Sequence, residues 1–500
     1  MGSFATLIPL FIFLIFSLCA ALVVRKRSAK SAENNFIKSY FIGNRSLGAF
    51  VLAMTTIATY GSVSSFVGGP GMAWKIGFGW VYMASVQVTA LFLLYGIMGK
   101  KMALVSRKLG AVTVVDVIRE RYNSNALAMI SAIIIVVFFM ATMVAQFVGG
   151  AKLFEAVTGY SYTTGLLLFG VAAILFTAIG GFRGVAITDA LCGIAMLIGV
   201  FVLAFGIFNE GGGYIAVMDT LLSQHPEFFD PFSGGNMPAG LYFTQWLLVG
   251  ILTLCLPQSV VRCMSFKNTE SLHQAMIMGT VIIGAMMIGI TSLGVFAAAV
   301  MPGGVESYGG SIDSIIPYAI AHLLPSWLSG LAIIGPIAAS ISTVSSLLIA
   351  AASALIKDIY LHKKAEQHKA LDDKKVRILS QCVTFLLGIM VFVLAIVPPS
   401  VIWKINMFAF GGLETAFTAV LIAGLFWKRA NKTGALWSMG LGTFAYCLSM
   451  ALGFKVCDLH QIVIGLTVSV LGMVIGSLVA SSEKSPSYKV FFPTEECETK

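Results

Sequence analysis

Of 500 residues, 58% are hydrophobic and only 11% charged, and the mean hydropathy is +0.91. A soluble domain carries about a quarter charged residues, so this composition excludes an ordinary soluble enzyme or binding module. The net charge of +10 would suit a nucleic-acid partner if it formed one patch, but its distribution along the chain argues for a different role.

Apolar runs recur from end to end, each long enough for a helix to cross a hydrocarbon core of about 30 Å. The alternation of a membrane β-barrel is absent. The expected fold class is an all-α polytopic membrane protein of about 13 transmembrane helices. The first span, Ala5 to Val24, is followed by the basic run Arg25 to Arg27 and reads as a retained helix. The pattern then predicts spans at 48–69, 79–99, 126–150, 162–180, 186–208, 241–261 and 272–300. The remaining spans fall at 326–356, 378–397, 401–426, 434–452 and 462–481.

With the N-terminus outside and the C-terminus cytoplasmic, all Lys and Arg residues except Lys75, Lys152, Lys404 and Lys455 fall on the cytoplasmic side. That asymmetry is the positive-inside rule. The outer loop at 209–240 has no basic residue. The basic loops therefore orient the chain in a bilayer and require neither a nucleic acid nor an obligate protein partner. No Walker A pattern occurs, which argues against an ATP-driven pump. The tail at 482–500 reads as cytoplasmic and too short for an output domain. The eight cysteines form no CxxC pair, the histidines show no metal spacing, and no nucleophile–base set emerges, so no catalytic residue is assigned.

Two polar stretches interrupt the apolar pattern. Residues 55–71, TTIATYGSVSSFVGGPG, carry seven hydroxyl side chains and four glycines within the second span. Broken helix persists in a membrane only where it is buried or lines a cavity. A break near Gly61 would free carbonyls at one half-end and N–H groups at the other, which suit a cation and an anion respectively. Hydroxyls at Thr55, Thr56, Thr59, Ser62, Ser64 and Ser65 are expected to supply the replacement hydrogen bonds. The alternative is close helix packing through small residues.

The second stretch, AASISTVSS at 338–346, puts Ala339, Ser342 and Thr343 on one helix face. Two hydroxyls and three carbonyls would make an uncharged five-oxygen cage suited to a small monovalent cation. The same hydroxyls could instead bond to carbonyls of their own helix.

The two stretches, in this order, resemble the sodium:solute symporter family, and the resemblance covers nearly the whole chain. FIGNRSLGAFVLAM, LFTAIGGFRGVAITD at 175–189, LPQSVVRCMSFK at 256–267, FGGLETAF at 410–417 and GLFWKRANKTGALWSMGLG at 424–442 are similar to further family segments. The resemblance implies a leucine-transporter-like fold of two inverted five-helix repeats, at 48–208 and 241–426. They are preceded by a first helix and basic loop at 1–47 and followed by two helices at 427–481. It implies alternating access with sodium as the coupling ion, held by the carbonyls of Ala58, Gly61 and Ala339 and the hydroxyls of Ser342 and Thr343.

Within the family, the stretches at 58–80 and 164–184 are most similar to members that carry pantothenate. Pantothenate is therefore the expected solute, with another carboxylate, an amino acid or a sugar as alternatives. An ion channel or a transporter-like sensor is the reading from a different class. Thr59, Tyr60, Ser64, Gln87 and Thr415 are the expected solute contacts. Asp189 is read either as stabilising its helix N-terminus or as taking part in ion release. Glu414 is read as a paired or functional acid at membrane depth. The chain departs from common family patterns at Tyr60, Cys192 and Gln258, which bears on the solute contacts more than on the fold.

Overall fold

The computed structural model describes residues 4–29, 36–367, 372–397, 402–480 and 485–493. Among them the backbone is helical almost throughout, and the only pairing of strand type is an isolated bridge between Leu47 and Phe266. The long helices are α1 (Phe4–Ala29), α2 (Ala49–Tyr60 and Ser64–Ile76), α3 (Phe78–Leu109), α4 (Asn125–Thr158), α5 (Tyr162–Phe182) and α6 (Gly184–Glu210). They continue with α7 (Ala239–Cys255 and Pro257–Cys263), α8 (Thr269–Val300), α9 (Ser326–Ala365), α10 (Lys374–Ala395), α11 (Lys404–Phe426), α12 (Lys432–Ala451) and α13 (Ile462–Val479).

Ten of these are long and apolar enough to cross a bilayer singly, and the bent pairs α2 and α7 raise the number to 12. Where a span is expected at 434–452 the structure has a 20-residue helix, α12, which is not among those apolar enough to cross a bilayer because Gly, Ser, Trp and Tyr residues dilute its apolar character. It packs along α13. Several helices outrun the expected spans: α3 extends to Leu109 and α9 to Ala365. Part of the tail expected at 482–500 lies outside the described residues.

One bend falls at the break expected near Gly61; the second lies in α7, while the polar stretch at 338–346 sits in continuous helix. The halves of α2 meet at 65° and those of α7 at 44°. In α7, Pro257 starts the second half after the extended residue Leu256, a position where the missing proline N–H costs nothing. A third change of direction separates α5 from α6 at Gly181, whose φ of +59° favours glycine.

α9 is the central helix. The window that qualifies it as a span is wholly buried, and it packs against α2, α4, α6 and α10. α6 has two faces in register with a helical period. Ile194, Ile198, Phe201 and Phe205 point outward, with Phe201 73% exposed, as a lipid-facing surface should be. Cys192, Met196, Gly199 and Leu203 point inward. Gly199 and Gly335 let α6 and α9 approach closely: a Cβ added at Gly199 would lie 3.0 Å from the Gly335 Cα. Small residues serve this purpose in membranes, where tight packing replaces the hydrophobic drive.

Gly199→Leu should therefore wedge α6 from α9 and cost about 1–3 kcal/mol. The check is the melting temperature of the detergent-purified protein beside the lipid-face variant Ile198→Leu. A drop confined to the glycine variant is expected, and equal melting of the two would contradict the close approach.

Candidate functional site

The first half of α2 ends at Tyr60, Gly61 is extended at φ −67° and ψ 122°, and the helix resumes at Val63 with a wider π-helical turn over Ser64–Gly68. Backbone groups freed here have no water to pair with. Their partners come from other helices. The carbonyl of Ala58 accepts from Ser342 Oγ at 2.8 Å, and that of Gly61 from Thr343 Oγ1 at 3.1 Å. The Val63 N–H donates to Gln146 Oε1 of α4 at 2.9 Å, and Ser340 Oγ donates to the Gln146 carbonyl at 2.9 Å. The hydroxyls of α2 do not repair the break as expected. Thr56 Oγ1 donates to Leu52 O in its own helix and meets the Tyr95 hydroxyl, while Ser64 Oγ is buried without a partner.

Ser342 Oγ also lies 3.1 Å from Ala339 O, and Thr343 Oγ1 lies 2.9 Å from it. Both sequence alternatives are thus partly realised: the hydroxyls bond within α9 and across to α2. Two hydroxyl protons are shared among three carbonyls, so the oxygens of Ala58, Gly61, Ala339, Ser342 and Thr343 form one neutral, buried cluster. Were those two protons to turn outward, the three carbonyls and two hydroxyl oxygens would all be free to accept. That donor set fits a small hard cation.

One turn along α9, toward the end of the bundle that carries the basic loops, lies a buried ion pair. Arg262 Nη2 is 3.5 Å from Asp189 Oδ2, with the two side chains 3% and 1% exposed. The same nitrogen donates to Thr55 Oγ1 at 3.2 Å, to Ser346 Oγ at 3.0 Å and to Thr59 Oγ1. Asp189 Oδ2 accepts from Thr55 Oγ1 at 2.7 Å and from Ser346 Oγ at 3.2 Å. Nη1 of Arg262 donates to the carbonyl of Gln258 at 2.6 Å, so the guanidinium is fixed to its own half of α7. The pair ties α2, α6, α7 and α9 together directly below the oxygen cluster.

A broken helix carrying an oxygen cluster in a bundle of this kind is a transporter's geometry, and the family comparison agrees. The sodium:solute symporter family model matches residues 40–442. The chain belongs to that family. It is an integral membrane protein, 38% identical over 472 residues to the sodium/pantothenate symporter of Haemophilus influenzae, covering 94% of this chain and 96% of that one. It is 36% identical over 460 residues to the sodium/pantothenate symporter of Escherichia coli, at 92% and 93% coverage. A solved structure described as the substrate-bound outward-open state of a Na+-coupled sialic acid symporter superposes with a TM-score of 0.81 at 18% identity, over 97% of this chain and 99% of that one. At that identity the likeness bears on fold alone, and it is the leucine-transporter-like fold expected from the sequence.

For a sodium:solute symporter the other expected residues distribute unevenly. Tyr60 donates its hydroxyl to the Val249 carbonyl, in the π-helical turn of α7, and lies 3.4 Å from Thr253 Oγ1. Gln87 is half-buried on the 3-10 stretch Ser85–Thr89, which packs against that same turn. Thr59 does not join them; it is bound to Arg262 and Ser346. Thr415 lies against Gly465 of α13, and Ser469 Oγ donates to its carbonyl at 2.9 Å. It therefore faces away from the expected solute space. Glu414 is fully buried with both carboxyl oxygens unpartnered. The paired state considered for it is not present.

Sequence reasoning did not single out Arg262, which falls among the orienting basic residues although it directly follows Val260 and Val261. Gln146, a polar residue inside the fourth span, invites an interhelical hydrogen bond, and the Val63 N–H supplies it. Gln146 is the single strongly polar side chain in the middle of a long apolar helix, which is signal enough for a partner but does not name it.

Removing Arg262 would leave Asp189 buried and unpaired, at a cost of about 3–5 kcal/mol. Arg262→Gln should lower the melting temperature strongly, and adding Asp189→Asn to it should recover most of the loss. Additive losses in the double variant would mean that the two side chains do not interact.

Proposed function

We propose that this chain is a sodium-coupled importer of pantothenate, working by alternating access in a bacterial inner membrane. The observation that carries the reading is the neutral five-oxygen cluster joining α2 to α9, in a chain whose relatives at 36–38% identity are named sodium/pantothenate symporters. In this reading α12 counts as a thirteenth span, the N-terminus is outside and the C-terminus cytoplasmic. Helices α2–α6 and α7–α11 are inverted repeats, each opening with a broken helix.

Sodium enters from outside and replaces the two shared protons as the bond between α2 and α9. It stabilises the conformation in which those helices are held together, and so acts by its different affinity for the two states. The solute binds beside the break, near Tyr60, Ser64 and Gln87. Its carboxylate is held by N–H groups of the opened helix and by the adjacent bound sodium. The Asp189–Arg262 pair is the inner gate. While Arg262 occupies the oxygens of Thr55, Thr59, Ser346 and Asp189, sodium has no route inward. When the second half of α7 swings out, the guanidinium leaves with it and those oxygens become available to the departing ion.

One sodium moved with one monovalent anion carries no net charge. A tenfold sodium gradient supplies about 1.4 kcal/mol, enough for about tenfold accumulation. A second sodium would add a voltage term of about 2.3 kcal/mol per 100 mV. One cation cluster supports one-to-one coupling.

In proteoliposomes, labelled pantothenate should accumulate under an inward sodium gradient and not under a potassium gradient. Ser342→Ala should raise the half-saturating sodium concentration by about tenfold, the equivalent of one lost contact of about 1.4 kcal/mol. The Ser342→Ala, Thr343→Ala double variant should lose sodium dependence. Sodium-driven uptake that prefers a sugar or an amino acid in competition would retain the cluster and discard pantothenate, while ion current without solute would indicate a channel. Initial uptake rates should also be unchanged by an imposed diffusion potential; acceleration by an inside-negative potential would reject electroneutral coupling.

A further inference from the structure

Two cavities continue from the ion pair toward the basic end of the bundle. The first is bounded by Phe41, Gln258, Arg262, Ser346, Ala350 and Ser353. The second is bounded by Thr113, Ile135, Pro257, Ala350, Ser353 and Asp358. They share Val261, Ala350 and Ser353 and so lie end to end. Ser346, Ala350 and Ser353 form a single stripe down α9 at i, i+4 and i+7.

In a regular helix the next residue on that stripe would be Lys357. The backbone prevents this: Ala354–Leu361 is a π-helix, whose wider turn takes up an extra residue. The register shifts by one and Asp358 takes the place of Lys357. Lys357 turns instead to Asp116 Oδ1, at 3.1 Å.

Asp358 is 3% exposed. Its Oδ1 accepts from Thr113 Oγ1 at 2.6 Å, and its Oδ2 has no partner. Gln258 Oε1 and Asp189 Oδ1, nearer the gate, are likewise buried acceptors without partners. With Arg262 in place the upper cavity ends at a guanidinium. Once Arg262 leaves, the route offers carbonyl, hydroxyl and carboxylate oxygens in series between apolar walls. A buried carboxylate oxygen without a partner, on a residue that lines a cavity, is a candidate site for a ligand.

We infer that Asp358 is a second, transient cation site, the station through which sodium passes after leaving the cluster on α2 and α9. It rests on the sodium-symport reading above. The surrounding charges keep the site weak. Arg119 Nη1 and Lys357 both lie on Asp116, at 3.3 and 3.1 Å, and Arg119 Nη2 donates to the Asp358 carbonyl at 2.7 Å. Two cations and two carboxylates make the cluster neutral, so an arriving sodium is attracted by one free oxygen and repelled by two nearby cations. A station on a conduction path needs that balance, because an ion must leave as readily as it enters.

Asp358→Asn tests this in two assays on the full-length protein in proteoliposomes. Net pantothenate uptake driven by an inward sodium gradient requires sodium to be released inside on every cycle. Exchange of labelled for unlabelled pantothenate, with saturating sodium on both sides, does not. The variant should lose about tenfold in net uptake while exchange stays within about twofold of the parent, and Asp358→Glu should restore net uptake. Intact exchange also reports that the variant is folded. Unchanged net uptake, or a parallel fall in both assays, would overturn the inference. The same selective loss from Thr113→Val would overturn it too, because the carboxylate would then be acting as a tie between helices. Sodium-independent uptake by the parent protein would reject the symport reading itself, an outcome distinct from any of these.

Discussion

The structure depends on a helix that stops hydrogen-bonding to itself inside a membrane. Around the break at Gly61 and Ser62 the carbonyls of Ala58 and Gly61 and the N–H of Val63 find their partners outside α2, and in hydrocarbon each such group left unsatisfied would cost several kcal/mol. α9 supplies two hydroxyls and α4 one amide oxygen. The repair therefore fixes which helices must be neighbours, and it buries α9 in the middle of the bundle. The atoms that repair the break are the same atoms that offer themselves to a cation. In the structure two hydroxyl protons satisfy the three carbonyls.

The ion pair beneath this cluster obeys a different economy. A buried pair is weak evidence for stability, because desolvation of both charges offsets most of their attraction. Its hydroxyl surroundings make up part of that deficit: Thr55 and Ser346 each touch both charged groups. An apolar side chain in place of Arg262 would leave Asp189 buried without a counter-charge.

Much of this was legible in the sequence because it rests on local pattern. Glycine and hydroxyl residues inside an apolar run signal a broken helix, and the i, i+3, i+4 spacing sets Ser342 and Thr343 on either side of the line through Ala339. What the sequence could not supply was pairing across long separations. Gln146 meets Val63 from 83 positions away and Arg262 meets Thr59 from 203, and no local rule joins them. Thr59 and Thr415 meet partners that local pattern does not name, for a related reason. Each lies beside a residue implicated in the site, yet on a helix a step of one residue turns the side chain by about 100°. Thr59 thereby reaches Arg262 and Thr415 reaches α13. Helix ends were underestimated where amphipathic turns, such as Lys100–Leu109 of α3, continue beyond the apolar span.

The gate and the hinge are parts of one short segment. Pro257 carries no N–H and the preceding Leu256 is extended, so the helical bonding of α7 is interrupted just where its second half begins. Arg262 reaches back to Gln258 within that half. Its charge therefore does not need to find its way out of the site independently; a rigid movement of Pro257–Cys263 about Leu256 carries it away. The same movement separates Gln258, Val261 and Arg262 from Ser346 and Ser353, which are the walls of the first inner cavity. Uncovering Asp189 and widening the path below it are consequently one event. A single bend then suffices to link loss of the tethered cation to release of the mobile one. The proline at the start of a helical half matters here because its missing N–H already leaves the α-helical ladder open at the bend, so the bonds that hold the segment in place are chiefly those of Arg262.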